Sequence, residues 1–458
     1  MIRNTLIATT LAFVSVSALA AVSPEEASRL GKDLTPVGAE KAGNKEGTIP
    51  AWTGGLQPSQ FPASFDIKKD PGHRPDPHPG EKPRLVITGQ NADQYKAQLT
   101  AVTYALLKRF PEYHVDVYPT HRDVVNPAKI LENTAKNAVN AKTADGGLAM
   151  EGALPGYPFP IPKTGNEVMW NHIMRYSGNA TFCKYDAFNV DSSGVATLSA
   201  TGLSYQEFPF FSPKNMDTVI KSSDPIWYIK QEYKAPARRA GESLMVIDHA
   251  SPIAQPRRAW QYLPGQRRVK LAPDICCDTP NPGTAGAATY DDAFVFNGAQ
   301  DRYDFKLVGK REMLIPYNNY KFVYFPPSRE ATHVKNFMNP DLVRWELHRV
   351  WVVEATLKPG KRHIYQKRVF YFDEDSWLAM SSDQYDARGQ LFRGTYAYPA
   401  YAYDVGVLNT SLQATYDLIA GMYASQGNCG LYPIGIVFSD GWSSRDWSPD
   451  ALAGAGIR

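Results

Sequence analysis

Residues 343–390 read VRWELHRVWVVEATLKPGKRHIYQKRVFYFDEDSWLAMSSDQYDARGQ. Trp345, Leu347, Trp351, Val353, Ala355 and Leu357 fall on one side of a period-two alternation, the pattern of a strand with one buried face. Lys358-Pro-Gly-Lys361 turns the chain. His363–Phe372 reads as the next strand and ends at Asp373-Glu-Asp-Ser376. Trp377–Tyr385 reads as a third, ending at Asp386-Ala-Arg-Gly389, and a fourth continues from Gln390. Consecutive strands joined by loops this short must be antiparallel neighbours.

Working outward, Arg239–His249, Arg257–Leu271 and Asp304–Tyr317 carry the same alternation. The chain holds 26 Tyr, 20 Phe and 9 Trp beside 35 Pro and 34 Gly, a composition that favours strands joined by tight loops. Upstream the pattern changes. Residues 21–90 are rich in Pro and Gly, and GNKEGTIPAWTGG and KKDPGHRPDPHPGEKP suit a path over a surface, with one short helical stretch near Pro24–Lys32. Residues 91–192 are mainly helical. One helix is expected from Asn91, with Tyr95, Leu99, Val102, Leu106 and Phe110 on its buried face. Another opens at Asn126-Pro127 and runs to about Asn140. Residues 193–440 make the sheet and 441–458 a tail. The expected fold class is α+β: a large curved antiparallel sheet, a half-barrel, with helices over its concave face. No linker divides 21–458, so a single domain is expected. An outer-membrane barrel would draw on the same aromatics, but the long Pro-rich and helical half does not fit inside one.

Residues 1–20 read as a signal peptide: Arg3 at the start, an uncharged apolar run from Thr5 to Ser17, and cleavage near Ala20. No cysteine follows that site, which argues against a lipoprotein, and no other run reaches the roughly 20 apolar residues of a membrane helix. A periplasmic location is expected. A net charge of +3 across 458 residues points to neither nucleic acid nor an anionic membrane as the main partner. In an oxidising compartment, Cys183, Cys276, Cys277 and Cys429 permit up to two disulfides in three pairings; a bond between the neighbours Cys276 and Cys277 would be strained, which favours long-range pairing.

The residues show no enzyme signature: no GxSxG, HExxH, P-loop or GxGxxG after a strand. No cofactor and no metal are expected. His73, Asp76 and His78 are close in sequence, but prolines hold that segment extended. Asp373, Glu374 and Asp375 suit a turn better than a calcium loop, and Asp291 and Asp292 read as loop residues. In YPFPIPKTGNEVMWNHIMRY (157–176), Thr164 and Glu167 match a capping box. Glu167, Asn171 and Arg175 make a polar stripe with His172 at its edge. Met169, Trp170 and Ile173 form an apolar face suited to lipid tails.

LTPVGAEKAGNKEGTIPAWTGGL (34–56), PFPIPKTGNEVMWNHIMRYSG (158–178) and WQYLPGQRRVKLAP (260–273) resemble signatures of the DUF1329 family of exported bacterial proteins. YLPGQRRVK and RVFYFDEDSWLAMSSDQYDARGQLFR are also similar to the lipoprotein-sorting and lipoprotein-localisation carriers. The resemblance implies a half-barrel plugged by helices around a hydrophobic cavity that holds acyl chains. It also implies association with an envelope exporter of the resistance-nodulation-division type. The expected ligand wall comprises Met169, Trp170 and Ile173 with the alternating aromatics Trp260, Tyr262, Trp345, Trp351, Phe370, Phe372 and Trp377. Of the basic pairs 238–239, 257–258 and 267–268, Arg267 and Arg268 are the expected headgroup or partner contacts. The expected function is a non-enzymatic carrier of lipids or other hydrophobic molecules, soluble with peripheral membrane contact. A structural adaptor of an envelope complex is the alternative, and a hydrolase of a hydrophobic substrate a more remote one.

Overall fold

In a computed structural model that describes residues 22–455, Trp345–Leu357 lies at the centre of a meander within a 16-stranded sheet. Tyr303–Pro316 pairs with one edge of this strand and Lys367–Asp373 with the other, both antiparallel. From there the order runs Ala379–Tyr385, Leu391–Ala397, Gln413–Asp417 and Met422–Gln426, then returns to Ala180–Val190. Ala196–Glu207, Pro225–Ala235, Ser243–His249, Arg258–Leu263 and Arg268–Leu271 follow in sequence order. The path ends at Leu85–Ile87 and Arg268–Leu271, which do not pair with each other, so among the described residues the sheet is open. Helix Gly165–Ile173 packs on Tyr303–Pro316 and Trp345–Leu357, and Ala101–Arg109 packs on Leu391–Ala397. Among the described residues no helix is long and apolar enough to cross a membrane. The signal peptide read at 1–20 lies outside the described residues.

Several strand ends differ from the sequence reading, each for a local reason. The second meander strand begins at Lys367 rather than His363. There the Tyr365 backbone N–H donates to His363 Nδ1, and its hydroxyl donates to Asp292, which holds the segment as a loop anchored by the buried Tyr365 ring. The third begins at Ala379, because Trp377 sits in the left-handed region at φ 59° and closes the turn with its N–H on the Asp373 carbonyl. Arg257–Leu271 is a hairpin, split at Pro264–Gln266, and the strand expected from Arg239 starts at Ser243.

The helix expected from Asn91 is broken. Ala92–Gln98 is 3-10, Leu99 is extended, and Thr100 caps the α-helix Ala101–Arg109. Asn91 spends its side chain on Thr88 N–H and the Val86 carbonyl. The buried Asp383 carboxylate accepts from the Ala101 and Val102 N–H groups at 2.9 Å, which places an anion where the helix dipole favours one. At the second helix, Ala128–Asn140, the Asn126 side chain donates to the Gly406 carbonyl rather than capping.

The Pro/Gly-rich N-terminal segment leaves most of its residues exposed or half-buried, as a surface path does, but it is pinned at a few buried points. Leu34, Val37, Ala39, Ile49 and Leu56 are buried, and Trp377 Nε1 donates to the Val37 carbonyl at 2.9 Å. Gly38 is required where it is: a β-carbon there would lie 1.8 Å from the Pro160 carbonyl oxygen. Within the tail, Pro449–Ala455 forms a helix that packs on Ser243–His249 and Arg268–Leu271, with Leu452 fully buried.

Candidate functional site

The proline approach at 157–164 positions one helix of the site. Pro158 and Pro160 offer no N–H, and Asn171 takes both backbone groups of the residue between them. Its Oδ1 accepts from Phe159 N–H at 2.8 Å and its Nδ2 donates to the Phe159 carbonyl at 2.7 Å. Thr164 and Glu167 form the capping box that starts helix Gly165–Ile173. The stripe of Glu167, Asn171 and Arg175 is buried, as is His172, so no face of this helix is solvated.

Trp170, Ile173 and Arg175 form one wall of a cavity of about 380 Å³. Ile226 and Trp227 come from Pro225–Ala235, and Asp248 and His249 from Ser243–His249. Phe294, Phe296 and the neighbours Cys276 and Cys277 arrive on the long loop between Leu271 and Tyr303. The volume falls in the range of small-molecule sites, about 300–1,000 Å³, and the lining is largely apolar and aromatic. Trp170 keeps its orientation because Nε1 donates to the Gly147 carbonyl at 2.9 Å. Trp227 and Phe294 meet edge to face with centroids 5.8 Å apart.

Charges at this cavity are mostly paired. Arg257 makes a two-pronged contact with Asp248, at 2.7 and 2.6 Å. Arg302 pairs with Asp278 and Asp301 with Lys361. Asp291 pairs with His363 and Arg368. Cys277 donates to the Cys276 sulfur at 2.7 Å. That contact, aided by Arg257 and Arg302 against the opposing effect of burial, lowers the Cys276 thiol to about 7. The remaining cysteines, Cys183 and Cys429, are bonded to each other across 246 residues.

Of the residues expected to touch ligand, Trp170 and Ile173 line this cavity. Met169, Phe370, Phe372 and Trp377 pack together with Phe296, and Trp351 lies against them, stacked on Trp377. Trp345 packs in the main core, edge-on to Tyr396. Tyr262 and Trp260 pack with Trp447 and Leu452 of the C-terminal segment. Arg267 and Arg268 are exposed at the hairpin turn and line no part of the cavity. Sequence reasoning passed over Arg175, Trp227, Phe294 and Phe296. IWYI (226–229) and AFVF (293–296) are unbroken apolar runs, and nothing in either indicates which side chains converge.

The acidic residues sit in a loop and a turn, as read, but they are buried rather than exposed. Asp292 is fully buried and binds Arg368 at 2.8 Å. Asp373, Glu374 and Asp375 are buried too, with Arg122 on Asp375 at 2.7 Å and Lys310 on Glu374 at 2.7 Å. These cations meet the charge that a calcium ion would otherwise meet. Among the described residues, two groups have the residue types of a metal site: His348 with Asp373 and Asp375, and His78 with His121 and Asp123. In the first, His348 Nε2 is 3.1 Å from Glu346. In the second, the imidazoles stack 3.5 Å apart while His78 engages Asp123 and His121 engages Glu81. His73 turns instead to Asp70, so it does not join His78.

The family model "Protein of unknown function (DUF1329)" matches residues 86–453. A Pseudomonas aeruginosa protein, "Uncharacterized protein PA3922", is 41% identical over 98% of this chain and 97% of its own length. Among solved structures, a DUF1329 family protein from Desulfovibrio piger is similar at 15% identity and a TM-score of 0.42, over 63% of this chain and 97% of that one. A LolA superfamily protein from Nitrosomonas europaea is similar at 9% identity and a TM-score of 0.37, over 63% of this chain and all of that one (100%). The extent of the family match, together with a relative that is similar from end to end, shows that this chain belongs to the DUF1329 family.

Proposed function

We propose that this protein is a periplasmic binding and carrier protein for lipids or other hydrophobic molecules, delivered by a signal peptide at 1–20. The observation that carries this reading is the cavity of about 380 Å³ whose walls include Trp170, Ile173, Trp227, Phe294 and Phe296. Burial supplies the affinity without a chemical step, at about 0.8 kcal/mol per methylene group taken from water. The charged groups around the cavity are mostly committed to one another, which suits a binding role better than proton transfer or nucleophilic attack. A structural adaptor would need no such space. Pairing with an exporter of the resistance-nodulation-division type rests on the family resemblance, and co-purification from cross-linked envelopes tests it.

Mass spectrometry of organic extracts from natively exported protein tests the carrier reading. A stoichiometric lipid-like species is expected, and extracts free of any such species would oppose it. Amino-terminal sequencing of the same sample should place the first residue at or near Ala21.

A further inference from the structure

Arg175 lies two residues past the end of the cavity helix, beyond its C-cap Met174, and 9% of its surface is exposed. Its Nη1 donates to the His172 carbonyl at 2.8 Å, and its guanidinium lies 5.1 Å from the Phe294 ring centre. It makes no ion pair among the described residues, and Nε and Nη2 bond to no protein group there. The other charged side chains of the lining are matched: Arg257 by Asp248, Arg302 by Asp278, Asp301 by Lys361 and Asp291 by Arg368. A guanidinium in a mostly apolar wall with no anion beside it is costly to desolvate, and one carbonyl and one ring face offset that only in part. Burial pulls its pKa down to about 10, which leaves it charged at neutral pH.

We propose that Arg175 binds the oxyanion head of an amphiphilic ligand whose apolar body lies against Trp170, Ile173, Trp227 and Phe294. This rests on the carrier reading and narrows it, because the ligand then needs a carboxylate or phosphate at one end. A planar guanidinium with two free donor positions matches either group. The aromatic walls exclude the water that would otherwise screen the pair.

Delipidated, full-length exported protein is titrated with a pyrene-labelled fatty acid, its methyl ester and a pyrene-labelled alkyl phosphate. The wild type should bind at least one of the two anionic probes about tenfold to a hundredfold more tightly than the ester, the difference expected of a charge-assisted hydrogen bond. Whichever anion shows the larger preference identifies the head group. Arg175→Met should lose that preference and keep its affinity for the ester. Without ligand its thermal midpoint should equal or exceed that of the wild type, because an unmatched buried charge is gone. Arg175→Lys should retain part of the preference. Should the Met variant not fold, the wild-type comparison and the Lys variant still decide the matter. Equal affinities of acid, phosphate and ester for the wild type would overturn the inference while leaving the carrier reading standing. So would an unchanged preference in Arg175→Met. Failure of all three probes to bind would overturn both.

Discussion

His172 joins the cavity helix to the sheet through Ala379, whose backbone N–H donates to His172 Nδ1 at 3.0 Å. The opposite ring nitrogen, Nε2, donates to the Phe296 carbonyl at 3.1 Å. These two bonds fix one neutral tautomer. Burial first, and then the nearby charge of Arg175, hold the ring well below its ordinary pKa. On acidification the unfolded chain takes up a proton here that the folded chain refuses. The contribution of His172 is therefore full above about pH 6.5 and is lost as pH falls below it. His172→Gln should cost about 1–3 kcal/mol at pH 7, since one of the two backbone groups loses its partner. It should also flatten the fall in stability from pH 7 to pH 5. Urea unfolding of both proteins at several pH values measures this; parallel pH profiles would exclude the role.

Glu346 and Asp373 flank His348 and should respond to pH in opposite directions. Burial opposes the Glu346 charge, but His348 and Arg344 outweigh it and lower its pKa to about 2. Its stabilisation is present above its ordinary value, about 4.3, and lost as pH falls toward 2. Burial, reinforced by Asp375, raises Asp373 to about 6. Its contribution is full below about pH 4 and lost as pH rises through 6. Glu346→Gln should cost about 3–5 kcal/mol at pH 7, because it leaves Arg344 short of a buried partner. Asp373→Asn keeps an oxygen for the Tyr317 and Ser376 hydroxyls and should compare better with wild type at pH 7 than at pH 4. Thermal midpoints at the two pH values decide it, and two variants with the same pH trend would contradict the assignment.

Cys183 and Cys429 join strand Ala180–Val190 to the segment just after Met422–Gln426. Closing so long a loop restricts the unfolded chain, so the double variant Cys183→Ser, Cys429→Ser should lose about 2–5 kcal/mol. We propose that residues 21–458 unfold as one unit. A single calorimetric transition, at a lower temperature in the variant, is the expected record, and two separated transitions would count against it.

Cys276 and Cys277 offer a chemical handle on the cavity wall. With the Cys183–Cys429 bond left oxidised, N-ethylmaleimide near pH 7 should modify Cys276 ahead of Cys277, because only the first thiol has its pKa lowered, to about 7. The adduct should then reduce uptake of an apolar probe. Peptide mass mapping locates the label; full uptake by fully labelled protein would place the ligand elsewhere.

How much of this was legible in the sequence depended on the distance over which each signal acts. Thr164 and Glu167 are three residues apart, and their capping box is local chemistry that any helix start would show. The meander was legible for the same reason, since short turns leave its strands no other neighbours. Asn91 misled because a sound capping residue can be claimed by Thr88 and Val86 instead, while the real helix start is held by Asp383, far along the chain. Asp291 and Asp292 read correctly as loop residues, but their burial was not legible because His363 and Arg368, which pair with them, lie far along the chain. The aromatic alternation found inward faces but could not separate filled from hollow packing. Phe370 and Phe372 meet protein, whereas Trp170 and Ile173 border space. Arg175 read as one member of a polar stripe, and only its lack of a buried partner sets it apart.

Equilibrium uptake of a neutral pyrene-labelled lipid by delipidated protein bears most directly on the cavity as a ligand site. Saturable binding at one probe per chain is expected. Ile173→Trp, which fills the wall beside Trp170, should abolish it while leaving the circular dichroism spectrum unchanged. No saturable uptake by the wild type, or uptake that survives the filled cavity, would contradict the account.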